Sequence, residues 1–194
     1  DSQLCPVVES LDIPVIKMDA MADSSYDKKA LAPLTELFRK AKERGIHTTL
    51  DTSGNPFTEK EPFYSKWKAL MQYTDLILLD IKSIDAAMCE TITSASNHNA
   101  LETLRYREKR GMDVWIRHVV VPGYTLDFDA LARMADYLKG FACVKKVELL
   151  PFHKMGEYKW KELNRAYSLT DVPEPSEEEM KKAAEIFSSR GFKL

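Results

Sequence analysis

The chain has 194 residues, 44% of them hydrophobic, with 28 basic against 30 acidic side chains and a formal net charge of −2. That is enough apolar material for one substantial core, and the balanced charge leaves no basic stripe for a phosphate backbone. No apolar run approaches the roughly 20 residues needed to cross a bilayer, and Asp1-Ser-Gln-Leu-Cys lacks the basic and apolar regions of a secretory leader. Neither nucleic acid nor membrane is expected as a partner, and a single soluble cytoplasmic domain spanning 1–194 is expected.

Ile13-Pro-Val-Ile-Lys-Met-Asp19 is a first, weaker strand candidate. Leu31, Leu34, Leu37, Phe38 and Ala41 recur at spacings of three and four and are closed by Gly45, which predicts an amphipathic helix ending near Arg44. Pro33 removes an amide donor, so the regular helix is expected to begin near Ala32 with the proline in its first turn. Next comes the strand His47-Thr-Thr-Leu-Asp51, running into Thr52-Ser53-Gly54. Pro62 opens a helix through Trp67, Leu70 and Met71, and Asp75-Leu-Ile-Leu-Leu-Asp80-Ile-Lys82 follows as a strand. A short helix is predicted over 84–91. Asn97 or Asn99 caps another that passes Leu101 and Leu104 to Gly111.

Val114-Trp-Ile-Arg117-His118-Val-Val-Val121-Pro122-Gly123 is the next strand, and Asp127 starts a helix with Leu131, Met134, Ala135 and Leu138 on one stripe. The strand Val147-Glu-Leu-Leu-Pro151 leads to Phe152-His153. A loop rich in Lys, Tyr and Trp then runs from Lys154 to Pro175. Ser176-Glu-Glu-Glu179 reads as a capping box for a last helix through Met180, Ala183, Ile186 and Phe187. There is no internal repeat or low-complexity tract.

Near-continuous β-branched and aliphatic runs alternating with amphipathic helices read as buried parallel strands joined by right-handed crossovers. Four or five strands are too few to close an eight-stranded barrel. The expected fold is therefore α/β, a partial, open parallel β/α barrel, with a flavodoxin-like open sheet as the alternative. In such folds chemistry collects at the strand C-termini.

Asp80 and Lys82 lie two apart on one strand and share a face, where a carboxylate and an ammonium suit a zwitterionic or anionic ligand. An internal salt bridge is the plainer alternative. Asp51-Thr52-Ser53-Gly54 offers hard oxygens for a cation or polar ligand, or else a simple side-chain turn. Arg117 points where a barrel interior should be and requires a carboxylate, from a ligand or from the protein itself. His118 should face the helices and be structural. His153, just past a strand end, can hydrogen-bond a ligand at neutral pH. His47 and His98 are read as surface or capping groups. Cys5, Cys89 and Cys143 lie too far apart for a disulfide framework or a zinc motif and are read as reduced thiols. The loop after Lys154, with Tyr158 and Trp160, is either a surface that grips a peptide or protein or a helical lid packed over the barrel end.

The four strand-end motifs, from Gly45–Gly54, Thr74–Lys82, Val114–Gly123 and Val147–Gly156, together resemble those of the radical S-adenosylmethionine activases of pyruvate formate-lyase, in that family's order and spacing. The resemblance covers residues 34–194; residues 1–33 diverge. It implies a partial (β/α)6 barrel of the radical SAM type that binds S-adenosylmethionine on a four-iron, four-sulfur cluster. The family cleaves S-adenosylmethionine reductively to a 5′-deoxyadenosyl radical, which abstracts hydrogen from a glycine of a partner glycyl-radical enzyme; flavodoxin is the implied electron donor. Carried over by motif, Asp51, Lys82 and His153 would contact S-adenosylmethionine, with Arg117 near the same cavity. Asp51, Thr52 and Asp80 would surround a monovalent cation. No residue is assigned a catalytic role.

The chain departs from the family in two motifs. The family's Cys-x3-Cys-x2-Cys and Gly-Gly-Glu-Pro segments have no counterpart here; Cys5 stands alone, and residues 15–25 occupy the Gly-Gly-Glu region. Without three thiolates a cluster is not held site-specifically, so the chain is not expected to start radical chemistry alone. It is expected to be part of an active enzyme whose front is missing, a fragment completed by another subunit, or a relative that only binds. A non-catalytic module that recognises S-adenosylmethionine or the glycyl-radical enzyme is the competing function. A barrel enzyme using Lys82 as a Schiff-base nucleophile is disfavoured, because Asp80 would keep the ammonium charged.

Overall fold

A computed structural model describes residues 24–194, with side chains from residue 31 onward. The strand candidate at 13–19 lies outside the described residues. The chain divides into two compact units, one formed by residues up to Leu50 together with Pro56–Asp75, the other by Asp51–Asn55 with Leu76–Leu194.

In the first unit, α1 (Ser24–Glu43) is packed on α2 (Phe63–Met71). Helix α1 begins eight residues before Ala32 and carries Pro33 in its interior, a correction to the expected start. Proline forfeits one amide bond, but a helix of 20 residues keeps its other bonds, and Leu31, Leu34 and Ala41 remain buried along the expected stripe. Gly45 ends the turn after α1 at φ +71, the left-handed region glycine favours. An aromatic cluster forms the rest of this core. Trp67 stacks on Phe63 at 5.9 Å between ring centroids and meets Phe57 edge-on at 5.5 Å. Asp75 closes the unit by accepting from Lys42 Nζ at 2.8 Å and from the Thr48 amide at 2.8 Å.

The second unit carries the sheet, in strand order β1-β2-β3-β4. Its share of β1 (Thr49–Thr52) is Asp51 and Thr52; β2 is Leu76–Asp80, β3 Val114–Val120 and β4 Val144–Pro151. β2 pairs parallel with β3, and β3 parallel with β4. Sequential order in a parallel sheet follows from one crossover per step, each supplied by a helical connection: α3 (Ala86–Thr93) and α4 (His98–Glu108) before β3, α5 (Phe128–Leu138) before β4. The open four-stranded sheet with its helices is the partial α/β barrel expected.

Strand alternation gives the sheet two unlike faces. Ile77, Leu79 and Ile81, then Val114, Ile116, His118 and Val120, and Val147 are buried. On that side lie the apolar stripes of α4 (Ala100, Leu104), α5 (Leu131, Met134, Ala135, Leu138) and α7 (Glu177–Ser188; Ala183, Phe187), all buried as well. The other face shows Leu78 and Asp80, Trp115, Arg117 and Val119, and Lys146, Glu148 and Leu150, all half-buried. A parallel sheet normally has both faces covered. Here, among the described residues, the second face stays partly open and holds the charges.

Two caps match the sequence. The Asp127 carboxylate accepts from the amides of Asp129 and Ala130, and Ser176 with Glu179 forms the reciprocal capping box of α7. The expected cap of α4 does not form. Asn97 precedes that helix without a side-chain cap. Its amide instead donates to the carbonyls of Ser83 and Ile84, at 3.2 and 2.7 Å. Buried beside the chain that leaves β2, it satisfies two carbonyls that no ladder reaches.

Candidate functional site at the strand C-termini

Four predicted residues form one charged row: Asp51 near the end of β1, Asp80 at the end of β2, Lys82 just beyond it, and Arg117 in the middle of β3. Asp80 lies opposite Arg117 in the β2–β3 register. Lys82 Nζ donates to Asp80 Oδ2 at 2.6 Å, and the Arg117 guanidinium donates to Asp51 Oδ2 at 2.5 Å. Arg117 thus takes its carboxylate from the protein, and a second acid, Glu148, approaches its Nε at 3.9 Å. Glu148 in turn accepts from Lys146 at 2.9 Å, whose ammonium rests 4.9 Å from the centroid of the Trp115 ring.

No motif in the sequence points to Glu148. Its signal is alternation: Lys146, Glu148 and Leu150 share a face of β4, and the register sets Glu148 against Arg117.

The Asp51–Asn55 turn is built around Gly54. At φ +74 that glycine packs so closely that a Cβ would meet Thr103 Oγ1 at 2.8 Å and the Ala100 Cα at 2.9 Å. The Thr52 hydroxyl accepts from the Gly54 amide at 3.0 Å, so the turn reading and the ligand reading describe the same residues. The turn holds Asp51 with its side chain 58% exposed. Asn55 on the same turn accepts from Asn99 of α4 at 2.7 Å.

His153 follows β4 and is exposed. Its Nδ1 accepts from the Met155 amide at 3.4 Å. The loop beyond contains α6 (Glu157–Glu162), which has no buried residue. Met155, Tyr158, Trp160 and Leu163 are exposed, with Trp160 and Tyr167 rings 5.8 Å apart. A packed lid would bury its apolar side chains, so of the two readings of this loop the exposed surface is the one observed.

His118 faces the helices as expected and is buried, its Nδ1 2.8 Å from the Ile81 carbonyl. His47 and His98 are exposed. Cys89 and Cys143 are buried free thiols. Burial, and then the neighbouring Glu108 carboxylate, push the Cys143 thiol up to about 12, the opposite of what a metal-binding thiolate needs. Among the described residues no group of three His, Cys, Asp or Glu converges on a metal position. The described residues therefore do not fit an iron–sulfur cluster; Cys5 lies outside them.

Over 159 residues the chain is 40% identical to the pyruvate formate-lyase-activating enzyme of Streptococcus mutans, covering 82% of this chain and 60% of that protein. The chain is similar in sequence to that activating enzyme over the matched residues. It spans less than two thirds of the relative's length. A solved domain of a pyruvate-formate lyase-activating enzyme from Bacteroides vulgatus superposes with a TM-score of 0.69, at 20% identity, over 89% of this chain and 93% of that one. Streptococcus suis SuiB bound to S-adenosylmethionine superposes with a TM-score of 0.58, at 14% identity, over 81% of this chain and 34% of that one. No protein-family model matches the chain. The activating-enzyme similarity carries the sequence relation, and the two structures carry the fold.

Proposed function

We propose that this chain is the part of a glycyl-radical-enzyme activating enzyme that binds S-adenosylmethionine. The observation that carries the reading is the charged row itself: Asp80 with Lys82 and Asp51 with Arg117, ion-paired and partly exposed, with both acids at or near strand C-termini and Arg117 reaching them from β3. A sheet that spends charged residues on a half-open face suits a zwitterion, whose carboxylate and ammonium can exchange with the internal pairs. In this reading Lys82 and Arg117 meet the ligand's carboxylate, and Asp51 and His153 present acceptors to its polar groups. The oxygens of Asp51, Thr52 and Asp80 take a monovalent cation.

When bound and reductively cleaved, S-adenosylmethionine supplies the abstraction of hydrogen from a glycine of a partner such as pyruvate formate-lyase. The described residues offer no place for the four-iron, four-sulfur cluster that the cleavage requires, so no step of it is assigned to them; an electron donor such as flavodoxin belongs to the same reaction. Two free buried thiols accord with a cytoplasmic setting.

The same lack of cluster ligands among the described residues favours a second reading, a module that binds S-adenosylmethionine or the glycyl-radical enzyme without cleaving either. Isothermal titration of S-adenosylmethionine into the purified chain tests the shared claim. Saturable binding, weakened by Lys82→Ala and by Asp51→Asn, is expected. A wild-type chain with no binding heat, or variants that bind as well as it does, would overturn it. Reconstitution with iron and sulfide under argon then separates the readings: an S-adenosylmethionine-sensitive cluster signal in electron paramagnetic resonance favours the enzyme, and its absence favours the module.

A further inference from the structure

Behind the charged row lies a cavity of about 30 Å³, with Ser83, Tyr124, Thr125, Met134 and His118 among its walls. His118 is 3% exposed, and its Nε2 has no hydrogen-bond partner. An unpartnered polar atom at that depth is costly and needs an explanation. The ring's chemistry narrows it. The Ile81 carbonyl, 2.8 Å from Nδ1, can only accept, so Nδ1 must carry the proton. Burial pushes the imidazole below its ordinary range, against the pull of the Ile81 and Thr125 backbone. A neutral ring protonated on Nδ1 presents a bare lone pair at Nε2, which requires a donor.

No neighbouring side chain bonds Nε2. Thr125 Oγ1 accepts from the Val121 amide at 2.8 Å and donates to the Val119 carbonyl at 2.5 Å, and Ser83 Oγ accepts from the Asp85 amide at 3.1 Å. A cavity needs roughly 10–15 Å³ to hold a water molecule, and this one has that room beside polar walls.

The other nitrogen explains why the arrangement matters. β2 ends at Asp80. The Ile81 amide still donates to the Arg117 carbonyl at 3.1 Å, and His118 takes the Ile81 carbonyl. Both peptide groups of the residue between Asp80 and Lys82 are thereby tied to β3.

We propose that His118 is a positioning residue for the Asp80–Lys82 pair: its Nδ1–H bolts the Ile81 carbonyl, and an ordered water in the cavity donates to its Nε2. The consequence for ligand affinity rests on the function proposed above; the bolt and the water do not.

Long-range proton–nitrogen correlation spectra of the full chain test the bolt directly, with Nδ1 protonated and Nε2 bare as the expected tautomer. A long-lived water cross-peak to the ring Hδ2 is expected alongside it. The opposite tautomer, or a ring with no such water contact, overturns the proposal.

Two variants test the positioning. His118→Asn can still donate to the carbonyl through Nδ2, whereas His118→Leu cannot. His118→Leu should speed amide exchange at Ile81, Lys82 and Ser83 by about five- to tenfold relative to core amides of α5, the loss expected for one buried hydrogen bond. It should weaken S-adenosylmethionine binding by a similar factor, and His118→Asn should restore most of both. Unchanged or uniformly raised exchange in His118→Leu overturns the positioning role. A chain with the expected tautomer and selective exchange that nevertheless binds no S-adenosylmethionine places the failure in the functional reading.

Discussion

Asp51 and Arg117, 66 positions apart, meet through an ion pair that joins the end of β1 to the middle of β3. The acid is 58% exposed and the guanidinium 25%, and exposed pairs contribute about 0–1 kcal/mol to stability. Asp51→Asn should therefore lower the unfolding free energy by less than about 1 kcal/mol in urea titrations. The same substitution should impair S-adenosylmethionine binding. A stability loss beyond about 3 kcal/mol would make Asp51 a structural residue, since that is the scale of a broken buried pair.

Gly54→Ala makes the opposite prediction. Its Cβ would press on the backbone of α4 at 2.9 Å and would hold a left-handed φ of +74. Left-handed strain together with overpacking amounts to roughly 2–4 kcal/mol, to be read from the urea midpoint. An Ala variant as stable as the wild type would show that the turn relaxes freely.

Asp75 governs a pH dependence inside the first unit. Burial raises its carboxyl, but hydrogen bonds from Lys42 and Thr48 outweigh that and lower it to about 2. A carboxylate lowered on folding contributes stability above its unfolded value of 3.8, and that stability disappears as pH falls through the folded value. Asp75→Asn should thus cost about 1–2 kcal/mol at neutral pH and should flatten the loss of stability between pH 5 and pH 2. Thermal melts of both proteins across that window measure it; parallel curves would remove Asp75 from the acid response.

Cys143 should be inert in the native chain. Its thiol is buried and pushed up to about 12, first by burial and then by Glu108. Ellman's reagent at pH 8 should modify it only after unfolding. Rapid native modification of this residue, located by peptide mass mapping, would show that the β4 entrance opens.

Local patterns were enough to identify most elements of this chain. Alternation within β3, the three-and-four spacing of α5, and the caps at Asp127 and Ser176 involve neighbours a few residues apart, and the observed elements follow them. The residue types of the charged row, Asp51, Asp80, Lys82 and Arg117, were legible for the same reason: period-two geometry puts them on one face whatever their surroundings. What local patterns could not supply was partnership. Pro33 lies inside a helix because the burial of Leu31 and Leu34 continues across it, and Asn97 leaves its cap for two carbonyls more than ten residues away. Arg117 needed a carboxylate on any reading. Only the register, which sets Asp80 and Glu148 beside it and brings Asp51 into reach, decided which ones it has. Pairing energies depend on distances across strands, and those distances come into being only when the sheet closes its hydrogen bonds.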